Sequence, residues 1–202
     1  MRKPILTLAA AVLAGVALAG CSQKGPAEAA ITAAGQAVDK ARPEVTKYAP
    51  DQFKALAASL DNARDSFSKG DYAGAITTAQ AIPGKAKDAL AAAAAKKEEL
   101  TKAWNEMNAS LPAMVDAIKA KLDALGATKK LPKGIDAAKL ADAKAGYEAA
   151  RKTGGEAMEA FKAGNVTDAV AKGKMVKDKV NEVMGRLGMS APPAAAPAAA
   201  AK

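Results

Sequence analysis

Phe67-Ser68-Lys69-Gly70-Asp71-Tyr72-Ala73-Gly74-Ala75-Ile76 is the stretch on which the fold turns. Before it, Phe53, Leu56, Leu60, Ala63 and Phe67 recur at steps of three and four, which lines them along one face of a helix starting near Pro50. Asp51 places a carboxylate at the end of that helix where the backbone dipole favours it. Gly70 predicts its end, because glycine takes the left-handed conformation of a C-terminal cap without a Cβ clash. A second helix begins at Asp71-Tyr72, so the local reading is helix, tight turn, helix.

Working outward, Pro83-Gly84 predicts a kink or break, after which the helix resumes through Ala91 to Ala95 and reaches about Asn108. Asn108 and Ser110 punctuate, and Pro112 opens the next helix, where its missing N–H costs nothing. Leu111, Val115, Ile118, Leu122 and Leu125 form one seam that Gly126 ends. Residues 127–135 read as a loop, with Asp136 as the N-cap of a helix running to about Ala163. Leu140, Ala143, Tyr147, Ala150, Gly154, Ala157 and Phe161 share its face. The last helix carries Val166, Val170, Gly173, Val176, Val180, Val183 and Leu187 and stops at Gly188. Gly154-Gly155 inside a helix costs about 1 kcal/mol per glycine relative to alanine, which predicts a kink or a close helix crossing there.

Laying Phe67–Leu90 on Phe161–Met184 exposes an internal repeat. Phe67, Gly70, Asp71, Ala75, Ile76, Ile82, Lys85 and Asp88 meet Phe161, Gly164, Asn165, Ala169, Val170, Val176, Lys179 and Glu182. The phrase from Phe67 to Ile76 resembles the inter-helix turn of tetratricopeptide-like repeats and of helical lipoprotein domains of unknown function, without the aromatic positions of a true tetratricopeptide repeat. Neither hairpin can bury its apolar stripe alone. The expected fold is therefore all-α: an antiparallel helical bundle or a short stack of helical hairpins spanning 50–188, with a disordered C-terminal tail.

The N-terminus decides location. Met1-Arg2-Lys3 is followed by an apolar run from Ile5 to Ala19 interrupted only by Thr7 and Gly15, the plan of a secretory signal covering residues 1–20. That run is too short to span a bilayer as a helix, so it reads as a removable leader. Leu18-Ala19-Gly20-Cys21 then resembles the bacterial lipobox at all four positions. The resemblance implies recognition by signal peptidase II through Leu18, Ala19 and Gly20, cleavage after Gly20, and a diacylglycerol thioether, usually with a further acyl chain such as palmitate, on Cys21. Acyl chains contribute roughly 0.8 kcal/mol per buried CH₂, and more than one chain anchors stably. Ser22 follows in place of Asp, and similarity to enterobacterial lipoproteins then implies the periplasmic face of the outer membrane. Residues 21–49 are expected to be a lipid tether and a weak helix, Ala27 to Ala41, stopped by Pro43.

Composition removes most catalytic classes. The chain has no histidine, and Cys21 is its only cysteine. Histidine acid–base chemistry, Ser-His-Asp and Cys-His nucleophiles, and the usual zinc and haem ligands therefore have no residues to work with. The acids are scattered singly along helical patterns, so no enzyme, cofactor or metal site is expected. Losing Arg2 and Lys3 with the leader lowers the formal charge of +9 by two, to +7. Such a balance suits anionic head groups, lipopolysaccharide phosphates or cell-wall acids. The lysines that alternate with Asp and Glu also read simply as a solvated helix face. Few aromatics, no arginine stripe and an export signal leave no case for nucleic acid.

The tail, 189–202, is Ala/Pro-rich and expected to be extended and disordered. Its Lys202, with Cys21, resembles the two attachment points of the murein lipoprotein of enteric bacteria, although the body between them does not; the resemblance implies a peptidoglycan link through Lys202. The expected function is a non-enzymatic, lipid-anchored helical scaffold or adaptor whose partner is an envelope protein or peptidoglycan. Its alternatives are a wall tether through Lys202 and a carrier of an amphiphile. Tyr72, Trp104 and Tyr147 are the scarce aromatics that could line a partner groove or belong to the core.

Overall fold

The computed structural model describes residues 23–190, which are all-α. Helix α1 runs Lys24–Tyr48, α2 Pro50–Ser68, α3 Tyr72–Ala127, α4 Ala137–Lys162 and α5 Val166–Arg186. Contacts divide the chain at Lys96 and Lys97 into two units. The first holds α1, α2 and the start of α3; the second holds the rest of α3, α4 and α5. Each is a three-helix antiparallel bundle, because short turns reverse the chain and leave each stripe no partner but its neighbours.

The first core is built largely from alanine. Ala27, Ala34, Val38, Ala41 and Val45 of α1 meet Leu56, Leu60 and Ala63 of α2 and Ala75, Ala79, Ile82, Ala86, Ala89 and Ala93 of α3, all buried. Small side chains of this kind let helix backbones approach closely. The second core is bulkier, with Trp104, Met107, Leu111, Met114, Ile118, Leu122 and Leu125 of α3 set against Tyr147 of α4 and Val170, Val176, Val180 and Val183 of α5.

Gly70, Gly164 and Gly188 end α2, α4 and α5 at φ +79°, +74° and +64°. At the first turn Gly70 N–H donates to Phe67 O at 3.0 Å and Asp71 N–H to Ser66 O at 3.0 Å. The second turn repeats both bonds, from Gly164 to Phe161 at 2.9 Å and from Asn165 to Ala160 at 2.8 Å. This crossed pair is the Schellman closure, which satisfies two of the carbonyls that a helix end leaves open. The following helix is capped differently in the two copies. Asp71 Oδ1 accepts from Gly74 N–H at 2.9 Å, whereas Asn165 makes no side-chain cap bond. Asp136 caps α4 as its sequence position predicts, accepting from Lys139 N–H at 2.8 Å.

Four sequence expectations need correction. The weak helix expected to stop at Pro43 is α1, which continues to Tyr48 and supplies Ala27, Ala34, Val38, Ala41, Val45 and Tyr48 to the first core. No break occurs at Pro83-Gly84, and no new helix begins at Pro112: α3 is one helix of 56 residues through both. Pro43, Pro83 and Pro112 are all exposed, so each ring sits on the solvent side of its helix and displaces no core side chain. Buried neighbours on the opposite face, Ala41 and Val45, Ile82 and Ala86, Leu111 and Met114, hold the helix together across the gap. The domain expected over 50–188 is instead two units dividing within α3. Finally, Gly154-Gly155 makes no close crossing, since a Cβ on either meets nothing within 4 Å. The close approaches lie at Gly146 and Gly173.

Candidate functional site

The repeat read from the sequence extends to which side chains are buried. In the register that lays Phe67 on Phe161, buried Ala75, Ile82, Ala86, Ala89 and Ala93 meet buried Ala169, Val176, Val180, Val183 and Leu187, and Ala79 meets Gly173. Leu56 and Ala63 of α2 likewise meet Ala150 and Ala157 of α4, all buried.

One surface feature is duplicated with the core. In the first unit a shallow groove of about 320 Å³ runs between α2 and α3, lined by Gln52, Ala55, Leu56, Ser59, Lys85, Asp88 and Ala89. In the second unit a groove of about 350 Å³ runs between α4 and α5, lined by Ala145, Gly146, Ala149, Lys179, Glu182 and Val183 among others. Ala55, Lys85, Asp88 and Ala89 fall on Ala149, Lys179, Glu182 and Val183 in the repeat register. Each groove thus sets small and apolar residues beside charged ones, Lys85 and Asp88 in the first and Lys179, Arg186, Asp142 and Glu182 in the second. Lys85 Nζ reaches Ser59 Oγ of α2 at 3.3 Å. In the second unit Lys179 holds Glu182 at 2.6 Å, and Arg186 bonds both Glu182 at 2.7 Å and Asp142 of α4 at 2.9 Å. Lys179 first, with Arg186, keeps the Glu182 carboxyl below its ordinary value. These pairs are solvent-exposed, where screening and the cost of ordering long side chains leave an ion pair little net stability.

A second feature belongs to the second unit alone: an apolar hollow of about 260 Å³ walled by Trp104, Leu111, Val115, Met158 and Val176, with Gly154 and Gly173 in its lining. A third, of about 640 Å³, is basic, with Lys121, Lys133, Lys139 and Arg186 in its lining and no acid. It also takes in Gly185 to Gly188 at the C-terminal end of α5, where backbone carbonyls oppose an anion.

The three aromatics proposed for a partner groove are not exposed together. Tyr72, in the first unit, is half-buried with its ring edge-on to Phe67 at 5.2 Å. Trp104 and Tyr147, in the second, are 4% and 8% exposed and belong to its core. Trp104 stacks on Phe161 at 5.2 Å, and the Arg151 guanidinium lies over the Tyr147 ring at 5.8 Å. Scarcity drew attention to these residues; the grooves are instead made by alanines and glycines, which the helical pattern alone does not distinguish from core. The equivalence of Lys85 and Lys179, and of Asp88 and Glu182, was the sequence signal that locates them.

Leu18, Ala19, Gly20, Cys21 and Lys202 lie outside the described residues, as does the tail from 191. Among the described residues no charged side chain is buried. No group of three or more His, Cys, Asp or Glu among them could hold a metal ion. No described helix is long and apolar enough to cross a membrane. Compared with known proteins, the chain matches no family model, and neither curated proteins nor solved structures give a significant match.

Proposed function

We propose that this chain is a lipid-anchored helical scaffold or adaptor of the bacterial envelope, held by Cys21 at the periplasmic face of the outer membrane, and that it performs no catalysis. The duplicated groove is the observation that carries the reading. Two copies of one shallow, small-residue surface, each edged by a lysine and an acid, suit a helix or extended peptide far better than they suit a small substrate. Chemistry at neutral pH draws on desolvated, tuned side chains, whereas the charged side chains here pair at the surface. The lipobox supports the location: acyl chains on Cys21 would restrict the search for a partner to the membrane face.

Cross-linking in intact envelopes followed by recovery of the lipidated protein tests this, with Cys21→Ser as the mislocalised control. Recovery of one envelope protein with the lipidated form only, reduced when Lys85 and Lys179 are both changed to Glu, supports the adaptor. If peptidoglycan fragments alone are recovered, and a chain lacking Lys202 loses them, the wall tether replaces it. Carriage of a whole amphiphile has less support, because the apolar hollow of about 260 Å³ falls below the roughly 300–1,000 Å³ of pockets that enclose drug-sized ligands.

A further inference from the structure

In the repeat register of the two units, one position changes from a buried leucine to a glycine. Leu60, buried in α2, falls on Gly154 of α4, between Ala150 and Ala157, which keep the places of Leu56 and Ala63. Two ordinary reasons for a helical glycine fail at Gly154. Its φ is not positive, and a Cβ built on it meets no heavy atom within 4 Å, so no neighbouring helix needs the space. The residue weakens its helix relative to alanine and leaves a void where the other unit has a leucine. That void opens into the hollow of about 260 Å³.

Gly173, on the opposite wall, behaves differently. A Cβ there would stand 3.1 Å from Met107 Cε and 3.3 Å from Met107 Sδ, with Trp104 Cζ3 in ordinary contact at 3.5 Å, so this glycine makes room for the methionine that packs beside the indole. Trp104 is further held by its stack on Phe161. One glycine seats the wall and the other empties the space in front of it.

We infer that this hollow is a binding site for a small, uncharged aromatic molecule of one or two fused rings. Size sets the class. A dry cavity of roughly 150 Å³ holds benzene, so about 260 Å³ has room for a substituted or fused ring. The walls favour an aromatic ring, since Trp104 and the half-buried Met158 offer an indole and a thioether, both of which make favourable contacts with ring edges and faces. Asn108, Asp116 and Arg151 complete the polar lining. One carboxylate and one guanidinium cancel, so no net charge selects an ion, while the Asn108 amide can hydrogen-bond a ring hydroxyl. The site stands whether or not Cys21 carries lipid.

The chain has a single tryptophan, so one indole N–H cross-peak in a ¹H–¹⁵N spectrum reports on the wall directly. Titrating the protein with p-cresol should move that peak saturably. Gly154→Leu, which restores the side chain of the other repeat, should abolish the saturable shift while its thermal midpoint stays at or above that of the unchanged protein. Gly154→Ala adds one methyl into open space and should weaken the shift; it carries the comparison if the leucine variant fails to fold. Absence of a saturable shift, or an equal shift in the folded Gly154 variants, overturns the site.

Discussion

Gly164 repeats Gly70 in backbone detail: φ +74° against +79°, with each N–H donated to the carbonyl of a phenylalanine three residues back, at 2.9 and 3.0 Å. A turn this specific ties the two hairpins together more firmly than their side chains do, because the apolar residues have drifted from the alanines of α3 to the valines of α5. Geometry that only glycine adopts freely has stayed fixed, while packing has been free to change in volume.

Replacing Gly70 or Gly164 with alanine should therefore lower stability by about 1–2 kcal/mol each, the cost of a left-handed L-residue. Gly84→Ala, at an exposed helical position with nothing within 4 Å of the added Cβ, should raise stability by about 1 kcal/mol. Urea melts of the three variants check the contrast in sign.

At Gly146 the helix gain and the packing cost oppose each other. An alanine Cβ there would stand 2.6 Å from Val183 Cγ2. A β-branched side chain has little rotamer freedom with which to move aside. Gly146→Ala should destabilise by about 1–3 kcal/mol, the range of overpacked cores, and the double variant Gly146→Ala, Val183→Ala should recover part of it.

Much of this was legible from residue spacing. The turns at Gly70 and Gly188, the cap at Asp136 and the bounds of α2, α4 and α5 follow from periodicity and cap chemistry. Proline misled the reading three times. Its local cost is real, but whether a helix breaks depends on what is buried on its far face, and Ile82, Ala86, Leu111 and Met114 are fixed by tertiary contacts that one strand of sequence does not display. The division within α3 was hidden for the same reason, since one unbroken helix serves two cores. The hollow was hidden too. Gly154 stood out as a glycine, yet only the structure shows empty space beside it, whereas the glycines tight against another helix are Gly146 and Gly173.

Pro83→Ala provides a direct check on that account. If the exposed Pro83 is tolerated and not required, restoring an N–H to the interior of α3 should stabilise by up to about 3 kcal/mol. Ile82→Ala, one residue earlier at a fully buried site, should cost about 2–5 kcal/mol. Thermal melts that show Pro83→Ala destabilising would mean that the proline shapes the helix.

Acid should act through Glu182, whose carboxyl is held below the ordinary glutamate range by Lys179 and then Arg186. A lowered folded-state pKa gives stability that is complete above the unfolded value of about 4.3 and is lost as pH falls through the lower folded value. Glu182→Gln should flatten the stability profile below about pH 4.3 and leave its shape near neutrality unchanged. Identical acid limbs in the two proteins would show that these exposed pairs contribute nothing.

The central claim, a lipid-anchored adaptor, is tested most directly by mass spectrometry of the mature N-terminus from envelope fractions, with Cys21→Ser alongside. The account predicts a chain beginning at Cys21 with a diacylglycerol adduct, and a Cys21→Ser chain that keeps residues 1–20. An unmodified Cys21, in a chain cut elsewhere or not at all, would contradict it.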